Sequence, residues 1–250
     1  PQALRDKAAS PFVACLEVDS SALSEEEWLC WLIKNDPEVL VTAWSTQRLP
    51  EVFLKKTQRL KYICNLTGSV RHIVPRAYLE DGVRVTNWGN SISPVVAEAG
   101  LMLILACLRR LVEVNHRMRF TGSWREGTEQ IRTLHGKRVG IHGFGMVARE
   151  LALLLQPFKA HISAYSPGVP EQHFEEFGVK RSPNLESLFA ENDIVVELAG
   201  LNGTTRGSIT GSHFQLLKEG DVFVNIGRAG VVGEDVLLDV AREGRIQLGL

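Results

Sequence analysis

The chain has 250 residues, 44% of them hydrophobic and 23% charged, a composition that excludes a disordered or fibrous protein and supplies core for one large or two modest domains. With 28 basic residues against 29 acidic ones the formal charge is -1, so no basic excess is available to neutralise a phosphate backbone and no nucleic-acid partner is expected. The longest apolar run, residues 99–108, is too short to cross a bilayer, and no membrane association is expected.

Short apolar runs rich in β-branched residues alternate with amphipathic segments, the pattern of an α/β fold with mainly parallel sheets. In chain order, residues 12–18 read as a strand and residues 25–33 as a helix. Residues 39–43, 60–64 and 83–86 read as strands, with a helical stretch over 50–58. Ser93-Pro94 has the signature of a helix start, Ser as N-cap and Pro at the first helical position. The helix it opens should run to about Asn115. It is apolar nearly all round, which fits burial between two domains or two subunits. A domain boundary is therefore placed here, giving 1–93 and 94–250. The polar stretch 117–135 follows, its arginines most simply a solvated face. Strands are then expected at 138–142, 161–165, 193–198 and 221–226, and helices at 146–156, 184–190 and 212–218.

Gly143-Phe144-Gly145-Met146-Val147-Ala148 falls between a strand and a helix, the context that makes G-x-G-x-x-A a dinucleotide fingerprint and not merely a glycine-rich turn. Gly143 would allow the tight turn and Gly145 a close backbone approach to a pyrophosphate. Ala148 would keep the helix near the sheet, and the Met146 and Val147 amides would face the phosphates at the positive helix end. In an open parallel sheet, ligands bind beyond the carboxyl ends of the strands. That rule adds Ser166, Ala199-Gly200 and Gly227-Arg228. Arg228 is the only permanent charge among these positions, and a guanidinium grips a carboxylate through two hydrogen bonds.

The segment Phe223-Val224-Asn225-Ile226-Gly227-Arg228-Ala229-Gly230-Val231-Val232 resembles the N-x-x-R-G segment of the D-isomer-specific 2-hydroxyacid dehydrogenases. The fingerprint, Thr204-Thr205-Arg206-Gly207, Val96-Ala97-Glu98 and Leu66-Thr67-Gly68-Ser69-Val70 are similar to the same family, in the same order, over residues 37–250. The resemblance implies two Rossmann-like domains with parallel sheets, the nucleotide-binding domain doubly wound, and an active site in the cleft between them. It implies hydride transfer between NAD(P) and C2 of a small 2-oxo or 2-hydroxy acid. Arg228 would bind the substrate carboxylate and polarise the carbonyl, with backbone amides near Thr67 and Gly68 holding the carboxylate from the other side. Gly143, Phe144, Gly145, Met146, Val147, Ser166, Leu198, Ala199, Thr205, Ile226 and Gly227 would line the cofactor. The helix from Pro94 resembles the family's dimer-forming helix, so a homodimer is expected.

Ser166 stands where the family carries an Asp for the adenosine ribose, so NAD is expected with NADP tolerated. Leu198 stands where a His is common. The family's catalytic Glu and His lie downstream of Arg228, and the chain, which opens on Pro1, is expected to lack its C-terminal end. Among the histidines, His142 precedes Gly143 and is read either as approaching the cofactor phosphates or as a strand-end residue satisfied by backbone. Glu98 is expected to be a buried, hydrogen-bonded structural acid. The scattered Cys15, Cys30, Cys64 and Cys107 read as reduced, buried thiols of a cytoplasmic protein without a secretion signal, and no cluster has metal-ligand spacing. The alternative to an enzyme is a dinucleotide-sensing binding protein or corepressor on the same fold.

Overall fold

The structure, a computed structural model, describes residues 14–123 and 131–250. The chain divides into two compact units, Pro1–Gly89 and Asn90–Leu250.

In the first unit, helix α1 (Glu25–Asn35) begins with a capping box: Ser24 Oγ accepts from the Glu27 N–H, and the Glu27 carboxylate accepts from the Ser24 N–H. Such a cap is worth about 1 kcal/mol. Strands β1 (Val39–Thr42), β2 (Tyr62–Asn65) and β3 (Arg84–Thr86) pair parallel in that order. Helices α2 (Glu51–Leu54) and α3 (Arg76–Glu80) connect them, as parallel pairing requires a crossover. Trp28, Leu32, Leu40, Phe53, Ile63 and Tyr78 form the core, and the Tyr78 hydroxyl donates to the Pro50 carbonyl at 2.6 Å.

The second unit opens with α4 (Ser93–Leu108) and α5 (Leu111–Thr121). Its sheet comprises β4 (Arg138–His142), β5 (His161–Tyr165), β6 (Lys180–Arg181), β7 (Ile194–Glu197), β8 (Val222–Asn225) and β9 (Gln247–Gly249), all parallel, in the order β6-β5-β4-β7-β8-β9. Counted from β4, that is the doubly wound order 3-2-1-4-5-6, and it reverses between β4 and β7. Helices α6 (Met146–Leu155), α7 (Glu171–Glu176), α8 (Leu185–Glu191), α9 (Gly211–Leu216) and α10 (Glu234–Glu243) complete the unit. Ile141, Ala164, Val196 and Val224 face a core shared with α4 and α6, while Val195 and Phe223 face one shared with α8, α9 and α10. Burial on both faces explains why these strands read as continuous apolar runs.

Several expectations are corrected. Residues 14–18 form no strand; 12 and 13 lie outside the described residues. The helix within 50–58 is limited to Glu51–Leu54. The helix from Pro94 does not reach Asn115: it stops at Leu108, and Arg110 adopts a left-handed conformation (φ 48°) that no continuous α-helix tolerates. Ser93 is helical itself and makes no side-chain cap, the cap position being Ile92. Only one side of α4 is buried within this unit, through Ala97, Gly100, Ile104, Cys107 and Leu108. Glu98 lies on the other side, exposed, so it is not a buried acid. All four cysteines are free, but Cys15 and Cys30 are exposed and Cys64 is half-buried, because neither α1 nor β2 turns its cysteine into the core. Cys107 alone is buried, and burial pushes its thiol up to about 11. Of the polar stretch 117–135, residues 124–130 lie outside the described residues. Among the described residues, no helix is long and apolar enough to cross a membrane.

Candidate active site

The fingerprint turn sits at the carboxyl end of β4, beside the point where the strand order reverses. Gly143 has φ +85°, and its N–H donates to the Tyr165 carbonyl at 2.8 Å. A β-carbon there would lie 2.6 Å from the Ala199 Cα, so the strand-end loop after β7 is packed directly on this glycine. Gly145 is the opposite case: nothing lies within 4 Å of a β-carbon built on it. It is the N-cap of α6, and no side chain caps this ten-residue helix. The Met146 and Val147 amides therefore open, with the positive end of the helix dipole, onto space of the kind a pyrophosphate fills. The fit to a dinucleotide is good. Phe144 contributes only backbone to this surface, because its ring is buried and stacked on Phe174 with centroids 4.8 Å apart.

Ser166 follows β5 in a loop held by a residue the sequence reading missed. Arg181, on β6, donates from Nη1 to the Ser166 carbonyl at 3.4 Å, from Nη2 to the Val169 carbonyl, and from Nε to Glu171 at 2.5 Å. Its guanidinium lies over the Phe174 ring, 4.2 Å from the centroid. One cation thus fixes the loop that bears Ser166. An Arg in a two-residue strand carries no sequence signal for this role.

After β7, Leu198 is half-buried and Ala199 buried. Thr205 closes the loop that follows: its hydroxyl donates to the Gly200 carbonyl at 2.7 Å and accepts from the Asn202 N–H at 2.9 Å. After β8, Ile226 turns its side chain towards Gly100 of α4, where a β-carbon would lie 2.6 Å from Ile226 Cδ1. Gly227 backs onto the end of β7, with a built β-carbon 3.1 Å from the Glu197 carbonyl oxygen. Arg228 is exposed, and its only described side-chain bond runs from Nη1 to the neighbouring Gly227 carbonyl at 3.0 Å. Its guanidinium is free to meet an anion.

His142 is buried at the end of β4, and its described ring bond is to a side chain and not to backbone. Its Nδ1 lies 2.5 Å from Glu197 Oε2, and both side chains are buried. Burial pushes the Glu197 carboxyl above its ordinary range, against the lowering effect of His142 and the Ala199 N–H. A signal was available: Glu197 is a lone acid ending the apolar strand Ile194-Val195-Val196, which demands a buried partner. His213 is committed too, its Nδ1 accepting from the Thr210 N–H at 3.1 Å at the start of α9.

In the first unit, Thr67 is buried. Asn65 donates from Nδ2 to its hydroxyl at 2.8 Å and to its carbonyl at 3.0 Å, while Thr42 donates to Asn65 Oδ1 at 2.9 Å. The Gly68 carbonyl accepts from Asn87 Nδ2, and Trp88 packs where a Gly68 β-carbon would point. Asn65, another residue sequence reasoning missed, thus shapes the Thr67–Gly68 loop. Among the described residues, no group of three or more His, Cys, Asp or Glu could hold a metal ion.

Known proteins resemble this chain over most of its length. Residues 101–250 match the family described as D-isomer specific 2-hydroxyacid dehydrogenase, NAD binding domain. A hydroxypyruvate reductase of Thermotoga maritima is 28% identical over 232 residues, spanning 92% of this chain and 73% of that protein. A D-3-phosphoglycerate dehydrogenase of Methanocaldococcus jannaschii is 27% identical over 228 residues; here the match spans 91% of this chain but only 43% of the relative. Among solved structures, the D-lactate dehydrogenase of Aquifex aeolicus, crystallised with NAD and lactic acid, superposes with a TM-score of 0.75 at 24% identity, over 99% of this chain and 71% of that one, a likeness of fold.

Proposed function

The chain belongs to the D-isomer-specific 2-hydroxyacid dehydrogenase family and carries its NAD-binding domain, and from that premise we propose that the whole protein transfers a hydride between NAD(P) and C2 of a small 2-oxo or 2-hydroxy acid. The observation that carries the reading is the placement, on one carboxyl edge of a 3-2-1-4-5-6 sheet, of the open Gly145–Met146 turn and the exposed Arg228 guanidinium, whose described bond is only to its neighbour's carbonyl. The nicotinamide, when bound, supplies or accepts the hydride. The backbone of Gly143, Phe144 and Gly145 and the amides of Met146 and Val147 hold the pyrophosphate. Ser166 meets the adenosine ribose, with NAD taken and NADP tolerated. The strand ends at Leu198, Ala199, Ile226 and Gly227, with Thr205 bracing the loop beside them, support the nicotinamide half.

Arg228 binds the substrate carboxylate and draws electron density from the carbonyl; the Thr67–Gly68 loop of the first unit is assigned to substrate binding. His142 and His213 are already bonded within the fold, so neither is assigned proton transfer. The active form is proposed to be a homodimer in the cytoplasm.

The test is titration of NADH fluorescence followed by NADH consumption with glyoxylate, hydroxypyruvate and pyruvate. Binding followed by turnover of at least one 2-oxo acid is expected of the whole protein. Dinucleotide binding without turnover of any would transfer support to the sensing reading.

A further inference from the structure

The strand-order reversal carries two buried ionisable groups for which the proposed chemistry has no use. His142 ends β4 and Glu197 ends β7, and the two residues are register partners across the reversal point. Their side chains are 5% and 0% exposed, with Nδ1 2.5 Å from Oε2. The other carboxylate oxygen, Oε1, accepts from the Ala199 backbone N–H at 2.6 Å. The row continues on both sides. Tyr165 on β5 is opposite His142 and stacks on it, with centroids 5.8 Å apart; Asn225 on β8 is opposite Glu197, and its Oδ1 accepts from the Gly227 N–H at 3.0 Å.

Polar groups thus cross four adjacent strands at their carboxyl ends, and two of them hold amides of the loops that follow. On the other face of the same strands the neighbouring positions are Ile141, Ala164, Val196 and Val224, which show what a row built for packing alone contains. A buried hydrogen-bonded pair of ionisable side chains is a poor source of stability compared with aliphatic side chains of similar volume, so its presence needs another reason. The reason lies in what Glu197 holds. Ala199 is the residue on which Gly143 is packed, so the Glu197–Ala199 bond sets the seat of the fingerprint turn.

We infer that His142 and Glu197 are positioning residues for the dinucleotide: Glu197 fixes the Ala199 amide, and with it the seat of Gly143, while His142 fixes the Glu197 carboxylate. The inference rests on the dinucleotide reading of the turn. Neither residue touches the cofactor, and neither is catalytic.

Two variants of the 250-residue chain separate positioning from stability. Glu197→Leu combined with His142→Ile replaces the pair by aliphatic groups and should melt close to wild type. Glu197→Gln keeps both bonds, its amide oxygen accepting from Ala199 and its amide N–H donating to Nδ1 of a neutral His142. Melting temperature, NADH affinity from fluorescence titration, and hydrogen exchange at the Ala199 and Gly143 amides are measured on each. The double variant should bind NADH roughly tenfold more weakly or worse and exchange Ala199 faster. The Gln variant should restore both.

Wild-type affinity and exchange in the double variant would overturn the inference. So would a Gln variant as weak as the double one. If wild type itself bound no dinucleotide, the cofactor reading would fall, and exchange at Ala199 would still decide the pinning: fast in the double variant and slow in the Gln variant supports it, equal rates in the two refute it.

Discussion

Gly143 and Ala199 touch so closely that a β-carbon on the former would lie 2.6 Å from the Cα of the latter. The fingerprint turn is therefore seated on the loop of the strand across the reversal point. Gly145, two residues on, has open space in front of it. The same motif thus contains one glycine that serves the fold and one that serves a ligand.

Substitutions at the two should separate cleanly. Gly143→Ala meets both the Ala199 backbone and a left-handed φ, and should cost about 1–2 kcal/mol or more of stability together with dinucleotide binding. Gly145→Val should leave the melting temperature nearly unchanged and weaken NADH binding by roughly tenfold or more, since its side chain fills the space in front of the Met146 amide. Calorimetry and fluorescence titration check both. Equal NADH affinity in Gly145→Val and wild type would remove the pyrophosphate from this turn.

For Arg228, the expected effect falls on the oxo acid and not on the dinucleotide. Arg228→Lys keeps the charge but loses the planar two-bond grip, which corresponds to about 1.5–3 kcal/mol, or roughly a ten- to hundredfold fall in kcat/KM. Arg228→Ala should fall further, with NADH affinity unchanged in both. Joint loss of dinucleotide and substrate would assign the residue to the cofactor or the fold instead.

Ser166→Asp should sharpen cofactor choice. A carboxylate here bonds the ribose 2′-hydroxyl and repels a 2′-phosphate, so NADPH binding should weaken relative to NADH by about tenfold or more. Parallel titrations of the two dinucleotides measure the ratio. A ratio equal to that of wild type would place the adenosine ribose elsewhere.

The exposed apolar side chains on α4 and α5, Val95, Met102, Leu111, Val112, Met118 and Phe120, are each more than half exposed. Such a set on neighbouring helices fits a second copy of the chain. Light scattering should give twice the chain mass, and Val112→Glu with Phe120→Glu should give a monomer. A wild-type monomer at micromolar concentration would reject the homodimer.

Asp193 ties the start of β7 to β4: Arg138 donates to it from its backbone N–H at 3.0 Å and from Nη2 at 2.8 Å. Burial acts to raise this carboxyl, but the Arg138 bonds and charge outweigh burial and hold it below its ordinary 3.8. A depressed folded value means that the contribution is complete above 3.8 and is lost as pH falls through the lower folded value. Asp193→Asn should therefore melt below wild type at neutral pH, by an amount on the order of 1 kcal/mol for this partly exposed pair, and the gap should close in acid. A gap independent of pH would show that the carboxylate charge contributes nothing.

What the sequence determined by itself is local. The run Arg138-Val139-Gly140-Ile141-His142 followed by Gly143 and Gly145 specifies strand, turn and helix within a few residues, because alternation, apolar runs and glycine placement act at short range. Arg228, in the loop that follows β8, was legible for the same reason, while the cap of α8, where Asn184 accepts from the Ser187 N–H at 2.7 Å, was not read. The segments α7, α10 and β9 were not: the first is short, and the others follow the Arg228 segment without a motif to mark them.

Tertiary structure alone decided which polar groups meet. His142 and Glu197 are 55 residues apart, and they meet only because β4 and β7 are neighbours in a particular register. Arg181 reaches the Ser166 loop because β6 lies beside β5, and Glu98 is exposed because α4 turns Ala97 and Gly100 towards the core instead. Strand order and register are long-range consequences of packing the whole sheet, so a linear pattern can place an acid at a strand end without revealing the base that faces it.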